Sequence, residues 1–149
     1  MKKTAYIAGA VALAGVLLML QREPRGIRNK NPLNIELGDN WQGLAAVQTD
    51  GRFAQFTDPR YGYRAAARIL DSYGARGIVT IREIIETWAP SFENNTNSYV
   101  DSVARKMGAD PDSTVTFGNM AQLFAAMTVH ENGKNPHSIG LIREGISWA

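Results

Sequence analysis

The 149 residues suffice for one domain with its own core, and a charged fraction of 20% beside a hydrophobic fraction of 44% places the chain among globular rather than disordered proteins. The lack of cysteine excludes disulfides, thiolate nucleophiles and thiolate metal sites. The net charge of +2 comes from Lys2 and Lys3, since residues 1–20 hold no acid; the balanced remainder excludes the basic footprint of a nucleic-acid-binding protein.

The chain begins with an uncharged run, "TAYIAGAVALAGVLLML", at residues 4–20. At about 1.5 Å per residue this run is just long enough to span a bilayer. A cleaved signal peptide is the alternative, but its small-residue motif should follow the apolar core. The triplet Ala10-Val11-Ala12 instead precedes Leu17, Leu18, Met19 and Leu20. The expectation is therefore one N-terminal transmembrane helix, kept in the mature protein, with residues 1–21 as anchor and the lipid membrane as a partner. Arg22, Arg25, Arg28 and Lys30 flank it on the far side, as Lys2 and Lys3 do on the near side, so charge does not orient it.

Residues 22–149 form the second unit, entered through the short linker "QREPRG". Its opening stretch, "RGIRNKNPLNIE", reads as a short helix leading into an Asn-rich turn. "AAVQTDGRFAQF" is two β-prone runs around Asp50-Gly51, the signature of a hairpin. Asp58 and Pro59 start a helix that Gly74 ends. Thr80 and Glu83 have capping-box spacing, and that helix stops before Pro90. "TNSYVDSVARKMG" is closed by Gly108, and "SIGLIREGI" makes a last short helix. The fold class expected is mainly α (α+β), with a small β-hairpin near the front.

The segment "FGNMAQLFAAMTVHENGKNP" raises the chemical question. Met120, Phe124 and Met127 mark a buried helical face, and four residues on the same face carries Glu131. Burial and the negative end of a helix both disfavour a charged carboxylate. A carboxyl group that keeps its proton is what protonation of a glycosidic oxygen requires. A zinc site is not expected: a metalloprotease pattern needs a second His at position 134, which is Lys, and His137 lies beyond Pro136. At the other end of the domain Arg28, Asn31 and Asn34 supply guanidinium and amide groups suited to sugar hydroxyls and acetamido groups. Trp41, Trp88 and Tyr99 supply faces for sugar rings.

Together "RGIRNKNPLNI", "WQG", "FAQF", "GYRAAARIL", "TIREIIETWAP", "ENNTNSYVDSVARKMG" and "HENG" resemble small phage and prophage virion-associated proteins. More distantly the chain is similar to lysozyme-like peptidoglycan hydrolases, above all bacterial glucosaminidases. The Glu-bearing helix that those enzymes place first comes last here, which implies a circularly permuted lysozyme-like domain. The resemblance implies cleavage of the glycan strands of peptidoglycan. Glu131 would be the general acid and Asp50 the nearest match to a second carboxylate, with Arg28, Asn31, Asn34 and Trp41 around the cleft and Tyr99 lining it. Lytic transglycosylases of the same superfamily manage with one Glu. No metal or organic cofactor is implied. The location implied is a virion or a bacterial inner membrane with the domain facing the periplasm. The competing class is a non-enzymatic, membrane-anchored virion component that keeps the fold and binds glycan or builds structure without cleaving.

Overall fold

A computed structural model describes residues 22–91 and 95–149. Among the described residues six helices follow one another: α1 Arg25–Arg28, α2 Pro59–Gly74, α3 Ile81–Trp88, α4 Thr96–Met107, α5 Met120–Asn132 and α6 Ile139–Ser147. Their ends are set locally. The Asp58 side chain caps α2 by accepting the Arg60 N–H, with Pro59 at the first helical position. Thr80 and Glu83 form a reciprocal capping box on α3. Gly108 and Gly133 end α4 and α5 in the left-handed conformation, at φ 62° and 74°.

The core is one cluster. Tyr63, Ala66 and Leu70 of α2, Ile81 and Ile85 of α3, Val100 and Val103 of α4, Phe124 and Met127 of α5, and Ile142 of α6 are all buried in it. α2 packs on α6, α5 lies between α4 and α6, and α1 sits against α5. Gly145 permits the close approach of α6 to α2: a Cβ there would stand 2.6 Å from the Arg60 carbonyl oxygen. Tyr63 and Thr128 join α2 to α5 through a buried hydroxyl pair at 3.0 Å.

Two expectations are corrected. The α+β, lysozyme-like description with a β-hairpin gives way to a helical fold with almost no strand. Among the described residues pairing is limited to isolated bridges, Glu36 with Phe53, Leu44 with Phe56 and Thr80 with Thr114. Side chains explain this by taking backbone groups that a ladder would use. Gln48 Oε1 accepts the Gln55 N–H, and Gln48 Nε2 donates to the Ala45 and Gln55 carbonyls. Gln55 Oε1 accepts from Thr49 N and Asp50 N, and Asp50 Oδ1 from Arg52 N and Phe53 N. The second correction concerns the membrane. Among the described residues no helix is long and apolar enough to cross one. The longest, α2, has 16 residues and is interrupted by Arg60, Arg64, Arg68 and Asp71. The run 4–20, expected as the transmembrane helix, lies outside the described residues.

Candidate functional site

The last turn of α5 delivers Glu131 to an open groove of about 310 Å³. Phe124 and Met127 on the same face are fully buried, so the core fixes the rotation of the helix and therefore the direction of Glu131. Glu131 is half-buried. Tyr99 of α4 donates its hydroxyl to Oε1 at 2.9 Å, and Asn34 Nδ2 donates to Oε2 at 3.0 Å. Both donors come from distant parts of the chain. Tyr99 is 2% exposed. Burial first, and then the neighbouring Glu131 charge and hydrogen bond, hold its pKa well above the ordinary tyrosine value, so the phenol remains a donor.

Asn34 reaches Glu131 from a left-handed backbone conformation, φ 51°. Asparagine tolerates this better than most residues. Asn132, next to Glu131, donates to the Pro32 carbonyl at 2.8 Å and ties the Asn-rich turn to α5. The end of α5 thus lies against the residues 25–34 segment.

Glu131 lines two hollows. Asn34, Glu36, Arg52, Phe53, Tyr73 and Trp88 line the first with it. The second, of about 210 Å³, is lined by Asn95, Ser98, Tyr99, His130 and Glu131. His130 stacks on Tyr99 with ring centroids 3.8 Å apart and planes 8° from parallel. Partial burial lowers the His130 pKa, against the attraction of the Glu131 charge.

The remaining predicted residues are placed elsewhere. Asn31 is fully buried: its Nδ2 donates to the Ile35 and Ala54 carbonyls, both at 2.8 Å, and its Oδ1 accepts from Ile35 N at 2.9 Å. It staples the turn to residue 54 and presents nothing to the groove. Asp50 is absent from the groove lining. Arg25 Nε at 2.6 Å and Asn29 Nδ2 at 2.9 Å donate to Oδ2, and the Arg52 and Phe53 N–H groups to Oδ1. The Arg25 guanidinium first, then these backbone and amide donors, push its pKa far below the usual carboxylate range. Asp50 pins the 50–53 loop to α1. Arg28 is exposed, and Trp41 is half-buried against the core, its Nε1–H buried and without a hydrogen-bond partner in the described structure.

Sequence reasoning missed the Glu36–Arg52 ion pair on the groove wall, 2.8 Å apart, and the Arg25 and Arg52 guanidiniums over the Phe53 ring at 4.6 and 4.9 Å. The bridge between Glu36 and Phe53 brings these groups together, and no local signal predicts it. Among the described residues no three His, Asp or Glu side chains converge as a metal site would need.

The described residues thus form a small helical domain with a groove lined by Glu131, whose carboxyl group a tyrosine and an asparagine hold. No family model matches the chain. It is 35% identical to "Protein P5" of Pseudoalteromonas phage PM2 over an alignment 156 positions long that covers 99% of this chain and 98% of that protein. The chain belongs to the family of that bacteriophage protein.

Proposed function

We propose that the protein is a phage-encoded, virion-associated glycosidase that cleaves the glycan strand of peptidoglycan with Glu131 as general acid. The observation that supports this reading is the carboxyl group at the junction of two hollows. A linear polymer laid along them would have the bond between two sugars beside Glu131. The motif resemblance to glucosaminidases and lytic transglycosylases points to the same residue.

In the proposed reaction Glu131 gives its proton to the glycosidic oxygen as the C1–O bond breaks, leaving an oxocarbenium-like sugar. The ionised Glu131 then accepts a proton from the nucleophile that attacks C1. With water the product is a new reducing end. With the sugar's own hydroxyl it is an anhydro ring. Tyr99 and Asn34 each donate to one carboxyl oxygen, which fixes the plane of the group for the transfer and steadies the carboxylate that remains. Trp88 offers an apolar surface to a sugar ring in one hollow, and the His130 imidazole lies in the other. Asp50 is left out of the mechanism because its oxygens are engaged by α1 and the loop.

The test is incubation of the purified protein with purified sacculi, followed by mass spectrometry of the released fragments. New reducing or anhydro ends support the proposal, and their ratio identifies the product type. Sedimentation of the protein with sacculi and no new ends would replace it with the glycan-binding reading.

A further inference from the structure

Gly26 and Asn132 form, with Asn34, a packed cluster behind Glu131. The amide nitrogens of both asparagines are engaged: Asn34 Nδ2 donates to Glu131, while Asn132 Nδ2 donates to the Pro32 and Thr128 carbonyls at 2.8 and 3.0 Å. Their Oδ1 atoms are buried and have no hydrogen-bond partner in the described structure. Both converge on Gly26 of α1. A Cβ at Gly26 would lie 2.5 Å from Asn132 Oδ1, 2.8 Å from Asn34 Oδ1 and 2.9 Å from the Asn31 carbonyl oxygen. Three oxygens facing one glycine Cα is the arrangement that weak C–H···O contacts favour. Any side chain there would force at least one amide to move.

The direction of the amides matters. Turning Asn34 over would bring its carbonyl oxygen against the Glu131 carboxylate, and turning Asn132 over would set its oxygen against two backbone carbonyls. α1 is itself held from both ends. Lys134 pairs with Glu23 at 2.6 Å, and Arg25 and Asn29 grip Asp50.

We infer that Gly26 and Asn132 are positioning residues: the smooth surface of α1 at Gly26 and the Asn132 clamp on Pro32 together fix the Asn34 amide so that its N–H₂ points at Glu131. The role in catalysis rests on Glu131 being the proton donor; the geometric role does not. The four-residue helix α1 therefore backs the asparagine that holds the proton donor.

The experiment uses the full-length chain with Gly26→Ala and Asn132→Ala, and Gly74→Ala as control, since a Cβ at Gly74 meets nothing within 4 Å. Two readouts are taken: the ¹⁵N side-chain amide resonances of Asn34, assigned by their loss in Asn34→Ala, and kcat and KM on soluble glycan strands. In both test variants the Asn34 resonances should move to the positions of a solvent-exposed asparagine amide. The kcat should fall about ten- to a hundredfold, the size expected when a reacting group is misplaced by about 1 Å, with KM within about twofold. Gly74→Ala should change neither. Asn132→Ala carries the test if Gly26→Ala fails to fold. A lower melting temperature with unmoved Asn34 resonances and unchanged kcat would overturn the inference. A wild-type protein without glycosidase activity would remove the catalytic reading, and the resonances would still decide the positioning.

Discussion

Replacing Glu131 with glutamine isolates the transferable proton from everything else the residue does. The carboxyl group accepts two hydrogen bonds, from Tyr99 at 2.9 Å and Asn34 at 3.0 Å. Glutamine has nearly the same shape, with one oxygen and one NH₂ group. Its oxygen would keep the Asn34 bond, because Asn34 offers only N–H there. Its NH₂ would face Tyr99, whose hydroxyl can turn from donor to acceptor. Both bonds survive in kind, so folding should change by less than about 1 kcal/mol, the net worth of one neutral hydrogen bond. What disappears is the acid. General acid catalysis commonly contributes about a hundredfold to ten-thousandfold, so glycan cleavage should fall by at least about a hundredfold. The assay is release of new ends from purified sacculi at matched protein concentration, with melting temperature measured on the same preparations. Full activity in Glu131→Gln would refute the assignment and direct attention to Glu36, the other acid on the groove wall. A large loss of both activity and melting temperature would refute the hydrogen-bond reasoning, because the variant is expected to fold as the wild type does.

Further perturbations separate the roles of the neighbouring groups. Asn31→Ala leaves the Ala54 carbonyl and the Ile35 N–H without their partner, while the Ile35 carbonyl keeps the Ala54 N–H; at about 1–3 kcal/mol for each group left unpaired, and allowing for overlap, the loss should be about 2–4 kcal/mol. A urea titration that gives less than about 1 kcal/mol would show that the staple is not structural. Tyr99→Phe removes one of the two donors to Glu131 and should lower kcat several-fold while leaving KM nearly unchanged; a change confined to KM would place Tyr99 in substrate binding instead. Asp50→Asn should lower the melting temperature by weakening the Arg25 pair yet cost less than about tenfold in activity, and a hundredfold loss in a fully stable variant would make it a second catalytic carboxylate. Asp58 has a pKa lowered to about 2, mainly by the Arg60 guanidinium. Because the folded value is depressed, its contribution to stability is complete above about pH 4 and is lost as pH falls from there through 2. The melting temperature of Asp58→Asn should accordingly depend less on pH across that window than the wild type's, and parallel curves would contradict it.

The ends of the helices were written in the sequence because they depend on neighbours a few residues away. Asp58 with Pro59, Thr80 with Glu83, Gly108 and Gly133 each act on backbone groups within one turn, so their meaning survives without knowledge of the fold. The rotation of α5 was legible for a similar reason, since Phe124 and Met127 fix which face is buried and Glu131 follows from the helical period. Asp50-Gly51, by contrast, carries a hairpin signal that the fold overrides. The side chains of Gln48, Gln55 and Asp50 capture the donors a ladder would need, and Arg25 and Asn29 arrive from about two dozen residues away to hold Asp50. Asn31 and Asn34 show the limit most clearly. They have the same chemistry and stand three positions apart, yet one is stapled into the core and the other is aimed at Glu131. A side-chain amide can satisfy its donors and acceptor in many ways at similar energy, so its own position does not choose its role. The choice is made by which carbonyls and carboxylates the packed helices bring within 3 Å, and for Asn34 that partner lies 97 residues along the chain.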